Sequence, residues 1–487
     1  MSHSPLLLLL AAAACHHDGT TTDTSGKDTT GSDTGVTDTD TDTDTDTPTD
    51  TGPGTTETTH PDPYTWGALA FDGPPPSNLL IVSLDTTRRD FIGRYAGNDN
   101  TPNLDAVLEQ AVVLDNHHSC SNWTAPSMTC IMSGRTSFEN GFWTGFRNDP
   151  NLTQMPPADY DTIPAYLSEL GMANTLVTAS EVYAPQYGIP GGFDRIVERT
   201  WEPAEIVTTV GLQELETLRA GGAPWMFQIH YIDPHNSYCA PDVWLDPENY
   251  VDFPYDLCPG GDDEHQVVYD LEDQYPTWPA DQQQAFLNNI RERYRAEVAY
   301  WDSEFGRFWT EAGASGALDD TLVLFVTDHG EQLFDRGYIG HGKLFGTEEN
   351  MSVAAFWATN LAPAVVDKVT VHQDLTETIY KIFGVTPARP TQGIVVGAGG
   401  PDRVVDGMNY WTGDRVTMFA ANQDHHMTYD FWGNRKLYDL TTDPAATTDL
   451  YAPSDPDVVA LWDELLPFVN EISSTWTFLD PPVNPGP

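Results

Sequence analysis

Three apolar runs of strand length, each closed by an aspartate, constrain this chain more than any other feature. They are Asn78-Leu79-Leu80-Ile81-Val82-Ser83-Leu84 before Asp85, Trp225 to Ile232 before Asp233, and Leu322 to Thr327 before Asp328. A run with so little polar alternation is the mark of a parallel strand covered on both faces. A further strand is expected around Thr175 to Thr178. Helical stretches separate these runs: Thr101 to Val112, with Leu104, Val107, Leu108 and Ala111 on one face, then Ala204 to Leu218 and Asp281 to Ala312. Strands alternating with helices predict an α/β fold, an α/β/α sandwich around a large, mostly parallel sheet. From about Thr391 the pattern changes to short strands and turns, then a last helix, Pro456 to Val469, which reads as a small C-terminal α+β subdomain. Ligands of such sheets bind just past the strand ends, where the aspartates fall.

The stretch Cys120 to Arg135 adds chemistry. Pro126 suits a first helical turn, and Ser127 to Ser133 reads as a short buried helix ending at Gly134. Thr124 then stands at a helix N-terminus, where free N–H groups and the helix dipole attract an anion. By itself the stretch fits an N-cap threonine as well as a nucleophile. Asp85 at one strand end, with Asp328 and His329 at another, supplies two carboxylates and an imidazole for one divalent cation. Manganese, zinc and calcium are the candidates. A cation beside Thr124 would acidify its hydroxyl and neutralise charge on a transferring group.

The acidic balance narrows the partners. With 22 Lys+Arg against 73 Asp+Glu the net charge is -51, which argues against nucleic acid and anionic membrane surfaces. Leu6 to Leu10 and Ala11 to Ala14 form a short apolar segment before Cys15, so residues 1–15 read as an export signal. Cys15 after small residues resembles a bacterial lipoprotein site, although the first five residues carry no Lys or Arg. The expected location is the cell envelope or surface of a bacterium, or the secreted fraction, with any membrane attachment through Cys15. Residues 16–76 read as a disordered Thr/Asp-rich linker, the catalytic domain as 77–390 and the subdomain as 391–487. Besides Cys15, the cysteines are Cys120, Cys130, Cys239 and Cys258. Local pairing, 120 with 130 and 239 with 258, is the simplest of three connectivities. Cys239 to Trp278 looks like an irregular insertion.

Several motifs occur in one order: Asn78 to Arg88, Thr101-Pro102-Asn103-Leu104, Trp123-Thr124-Ala125-Pro126-Ser127, His230 to His235, Thr327-Asp328-His329-Gly330-Glu331, Gly340-His341-Gly342, and Lys436 to Leu440 with Asp443-Pro444. Together they resemble the sulfatases of the alkaline phosphatase superfamily, from about Ser77 to Val469. The resemblance implies that Asp85, Asp328 and His329 hold a metal and that Thr124 is the metal-bound nucleophile. It implies that His235 contacts the sulfate or phosphate, and that His341 or Lys343 contacts the bridging or leaving oxygen. Arg88 reads as an orienter of Asp85 or as a structural ion pair, and His230 first as a strand-end core histidine.

Two departures bear on mechanism. Sulfatases carry Cys or Ser where Thr124 stands, converted to formylglycine, with an arginine where this chain has Met128. That argues against formylglycine here. The second aspartate of many sulfatases is Thr86, which favours one metal. The leading reading is an exported, metal-dependent hydrolase of small-molecule, glycan or lipid sulfate or phosphate esters. One alternative is a phosphodiesterase or phosphoglycerol-type transferase passing through phosphothreonine. Another is a catalytically silent surface lipoprotein.

Overall fold

The computed structural model describes residues 64–140, 143–144, 153–154, 161–183, 191–251, 253–259, 264–410, 416–430 and 433–475. The proposed export signal, Cys15 and the linker as far as residue 63 lie outside them. Eight strands form the main sheet: β1 (Asn78–Leu84), β2 (Val112–His118), β3 (Ala173–Thr178), β4 (Arg195–Glu198), β5 (Trp225–Tyr231), β6 (Thr321–Thr327), β7 (Ala354–Trp357) and β8 (Ala364–Val371). Their order is β8-β2-β7-β6-β1-β5-β3-β4, and only β7 runs antiparallel to its neighbours. The apolar runs therefore occupy the sheet centre, as burial on both faces requires.

Side chains of β1 alternate between two cores. Leu80, Val82 and Leu84 enter one core, which carries α1 (Pro102–Leu108), α4 (Ala204–Ala220) and α5 (Ala280–Ala314). Leu79 and Ile81 enter the other, with α2 (Thr124–Ser133), α3 (Ile163–Glu169) and α6 (His372–Phe383). The result is the sandwich of helix, sheet and helix expected from the sequence. A four-stranded antiparallel sheet, β9 (Val405–Tyr410), β10 (Val416–Ala421), β11 (His425–Asp430) and β12 (Arg435–Asp439), packs on α7 (Pro456–Thr475) around its own core.

Three boundaries move. The helix expected over 101–112 ends at Leu108, and Val112 opens β2 instead. The β-branched pair Val112-Val113 fits a pleated strand better than a helix. Asp302 of α5 accepts from the N–H groups of Asn103 and Leu104, capping α1 from outside its own sequence. The linker boundary at 76 is too late, because Leu69 and Phe71 are already buried and Phe71 bridges to Leu361. The irregular insertion contains a helix at Glu264–Gln274. Both local disulfides, Cys120–Cys130 and Cys239–Cys258, are formed.

The small sheet is fastened to the large domain. Met408 of β9 donates its N–H to the Cys120 carbonyl at 3.0 Å, and the Asn409 amide donates to the Gly342 carbonyl at 2.6 Å. Gly407 lies so close to Cys120 that a β-carbon there would overlap its carbonyl oxygen.

Candidate active site

Strand register sets the site. Leu84 of β1 pairs with Thr327 of β6, so the residues after them, Asp85 and Asp328, lie side by side. His230 pairs with Ser83 on the other flank of β1. Its Nδ1 lies 2.9 Å from the Ser83 hydroxyl and its Nε2 3.4 Å from Asp85 Oδ2. Asp85, His230 and Asp328 form a buried group with one ligand atom each within 4.8 Å of the others.

Thr124 reaches this group from α2. Every residue of α2 is buried, as a helix with no charged face must be. Trp123 holds the extended cap position, so Thr124 is the first helical residue and not the cap. Its Oγ1 lies 3.2 Å from each Asp85 oxygen and 3.4 Å from His329 Nε2. The Cys120–Cys130 bridge ties the loop before α2 to the helix. Beneath, Ser127 donates to the Asp328 carbonyl and lies 3.1 Å from His372 Nδ1.

The backbone around the aspartates is held under strain. Thr86 has φ 49°, a left-handed conformation costly for a β-branched residue. The turn aims its N–H at Asp328 Oδ1 (3.1 Å), which also accepts from the His329 N–H at 2.7 Å. Asp328 Oδ2 accepts no hydrogen bond although it is fully buried. Gly330 is required by close approach, since a β-carbon there would overlap the Glu348 carbonyl oxygen.

Electrostatics divides the two carboxyl groups. Burial alone would raise Asp85, but the His230 hydrogen bond and the charges of His235, His230 and His329 outweigh it and hold Asp85 well below the usual carboxylate range. Burial and the adjacent Asp85 charge push Asp328 well above that range. Two buried carboxyl groups that cannot both ionise, one with an unpartnered oxygen, form a donor set suited to a divalent cation.

The remaining expected residues fall at different distances. The His341 ring lies 4.6 Å from that of His329 and 5.2 Å from that of His235. Its Nδ1 meets Glu331 Oε1 at 2.9 Å. Burial opposes the imidazolium, but the Glu331 charge and hydrogen bond prevail and raise His341 above the ordinary histidine value. Lys343 is turned away, its Nζ 3.2 Å from Glu272 and 4.8 Å from the Tyr338 ring centre. Arg88 binds Asp90, Asp335 and the Glu331 carbonyl, so it shapes the 331–335 loop and not Asp85. Met128, at the arginine position of the motif, is buried in the apolar core under the sheet.

The sulfatase family model matches residues 77–385. The chain belongs to the sulfatase family. A choline-sulfatase of Rhizobium meliloti is 25% identical over 77% of this chain and 82% of its own length. A protein solved with its substrate D-glucosamine-2-N,6-O-disulfate superposes with TM-score 0.64 at 17% identity, over 84% of this chain and 99% of that one. The phosphonate monoester hydrolase of Agrobacterium radiobacter gives TM-score 0.59 at 17% identity, over 82% and 95%. Family and fold mark an ester hydrolase of the sulfatase type. Within that frame, His230 stands in the buried acidic group, a position that apolar neighbours in its strand disguised. Glu331 orients His341, and its place in the Asp-His-Gly-Glu motif was the available signal.

Proposed function

We propose that this sulfatase-family enzyme is an exported, metal-dependent hydrolase of sulfate or phosphate esters that uses Thr124 as its nucleophile. The observation that carries the proposal is the placement of Thr124 Oγ1 at 3.2 Å from both Asp85 oxygens, at the start of a buried helix. Asp85, Asp328 and His329, with His230 beside them, would hold the cation. Such a cation supplies charge neutralisation for the anionic ester and acidifies a nearby hydroxyl.

The chain's own groups and solvent water account for the proton movements. Asp85, held ionised, orients Thr124 Oγ1, whose proton passes to a solvent water as the oxygen bonds to sulfur or phosphorus in line with the leaving oxygen. The free N–H groups at the head of α2 stabilise the equatorial oxygens. The bond to the leaving oxygen breaks with its electron pair, and His341, whose imidazolium form Glu331 favours, supplies the proton. His235 borders the anion. Water then attacks the same sulfur or phosphorus and gives a proton to the now neutral His341, while the bond to Thr124 Oγ1 breaks and that oxygen regains a proton from solvent as sulfate or phosphate leaves.

Phosphoryl transfer is favoured as the second reading by two residues. Thr124 cannot form the aldehyde hydrate that lets formylglycine expel sulfate, and buried Met128 replaces the arginine of that motif. An acceptor alcohol in place of water would make the enzyme a transferase with a phosphothreonine intermediate. Export rests on the apolar segment before Cys15 and fits the two disulfides, which persist in oxidising compartments. Loss of membrane-fraction protein in Cys15→Ser would support lipidation at that residue.

The test is a turnover panel of aryl sulfate, aryl phosphate and bis-aryl phosphodiester with manganese, zinc or calcium. Thr124→Ala is expected to lose at least about a thousandfold in kcat. Unchanged turnover in that variant would overturn the threonine mechanism. Absence of both turnover and bound metal would leave the silent binding protein.

A further inference from the structure

A second cleft opens beside His235. It holds about 570 Å³ and is bordered by Trp201, Glu205, Asp233, His235, Glu297 and Tyr300 among others, with no lysine or arginine among its described lining residues. In contact terms it continues the active site. The rings of His329, His341, His235 and Trp201 follow one another at 4.6, 5.2 and 5.1 Å.

Its floor is unusual for a buried surface. Asp233 and Glu297 are each only 7% exposed, and they share a hydrogen bond. Asp233 Oδ2 accepts no hydrogen bond. Burial pushes Asp233 up to about 6, the behaviour of a carboxyl group set aside without a counter-ion. Glu205 is exposed, Trp201 is 49% exposed, and both line the cleft together with the Tyr300 ring.

Carboxylates together with aromatic faces recognise organic cations, because a ring quadrupole attracts a weakly hydrated ammonium. A hard metal ion would instead need several oxygens converging at ligand spacing. Among the described residues only Asp85, His230 and Asp328 converge in that way.

We propose that this cleft binds an alkylammonium group on the leaving alcohol, so that the preferred substrates are sulfate or phosphate esters of amino or quaternary-ammonium alcohols. The inference rests on the ester-hydrolase reading given above. The ester would span the two regions, its anion at Thr124 and its cation between Trp201 and Glu205, with Asp233 and Glu297 beneath.

Binding is tested without turnover. Ligand-observed NMR on the full-length protein follows tetramethylammonium chloride and its neutral isostere, 3,3-dimethylbutanol, at constant ionic strength. Saturable binding of the cation is expected, at least about fivefold tighter than the neutral compound. It is expected to weaken by a similar factor in Trp201→Leu and in Glu205→Gln, both surface changes that leave the core intact. Asp233→Asn is expected to weaken it further if it folds. No saturable binding, equal binding of the isostere, or affinities untouched in both surface variants would overturn the site. Displacement by micromolar calcium or magnesium that Trp201→Leu does not affect would overturn it in favour of a metal site. Turnover is scored separately with aryl esters that carry no ammonium group. Cation binding without turnover of any ester would uphold the cleft and overturn the hydrolase, whereas aryl turnover without cation binding would do the reverse.

Discussion

Asp328 sits in an environment that contradicts its charge. Its carboxyl is buried beside Asp85 and resists ionisation, with one oxygen left without a hydrogen bond. A group with a raised folded-state pKa contributes stability at low pH that is lost as pH rises through that value. At neutral pH the metal-free protein therefore carries the penalty, and Asp328→Asn should remove it. The expected outcome in chelator is a melting temperature about 2–4 °C above wild type, read by calorimetry. Manganese or zinc should raise the wild-type melting point and leave that of the variant nearly unmoved. A variant that melts lower in chelator would show that the carboxyl is not under repulsion. His372 presents the opposite case. Burial pulls its imidazole down to about 3, so its stability contribution is complete above the ordinary histidine value and fades as pH falls from about 6.5. Urea unfolding of His372→Gln between pH 6.5 and 5 should show a pH slope flatter than wild type by about 1.1 kcal/mol per unit. Equal slopes would mean that His372 is already protonated in the folded chain.

At the scale of elements, α2 carries Thr124, the proposed nucleophile, and is held by the Cys120–Cys130 bridge. The closed loop spans a separation of 10 residues, and its loss should cost on the order of 3 kcal/mol. In the Cys120→Ala/Cys130→Ala double variant, kcat should fall more than KM rises, because the loosened element positions the attacking oxygen. A change confined to KM would place the bridge in substrate binding instead. The elements themselves were legible to unequal degrees. β1, β5 and β6 were readable because a strand buried on both faces leaves an unbroken apolar run. β2 was hidden behind α1, since Leu104, Val107, Leu108 and Ala111 extend a helical period into residues that pair as a strand. Antiparallel β7, Ala354–Trp357, carries no local signal of direction, which its neighbours decide. In the site, the order of motifs located Asp85, Thr124, Asp328, His329, His235 and His341, which the fold brings together. Lys343 pairs with Glu272, a partner that only tertiary packing brings within its reach and that the local sequence does not announce. Thr124 was read one position early because Trp123, a poor cap by type, holds the extended cap geometry.

For the whole molecule, a chain net charge of -51 is set against a site that takes an anion. Long-range repulsion should slow encounter with a purely anionic ester, so its kcat/KM should rise severalfold between low and physiological ionic strength. This reverses the usual salt dependence of charge-steered enzymes, and stopped-flow or steady-state kinetics across a salt series would measure it. An ester that also carries an ammonium group should show a weaker dependence, because its own charges nearly cancel at a distance. Falling kcat/KM for the plain anionic ester would mean that local positive potential at the cleft dominates the global field.

The contacts from β9 to the Cys120 and Gly342 carbonyls have a consequence for how this protein can be divided. One strand of the small sheet braces both the loop that leads into Thr124 and the loop that carries His341. Residue 390 marks a change of sequence pattern, but it is not a place to cut. A chain ending there would retain the great sheet and every candidate site residue and still leave both of these loops unsupported. If Thr124 and His341 act as proposed, removing the C-terminal sheet should silence the enzyme before it unfolds it.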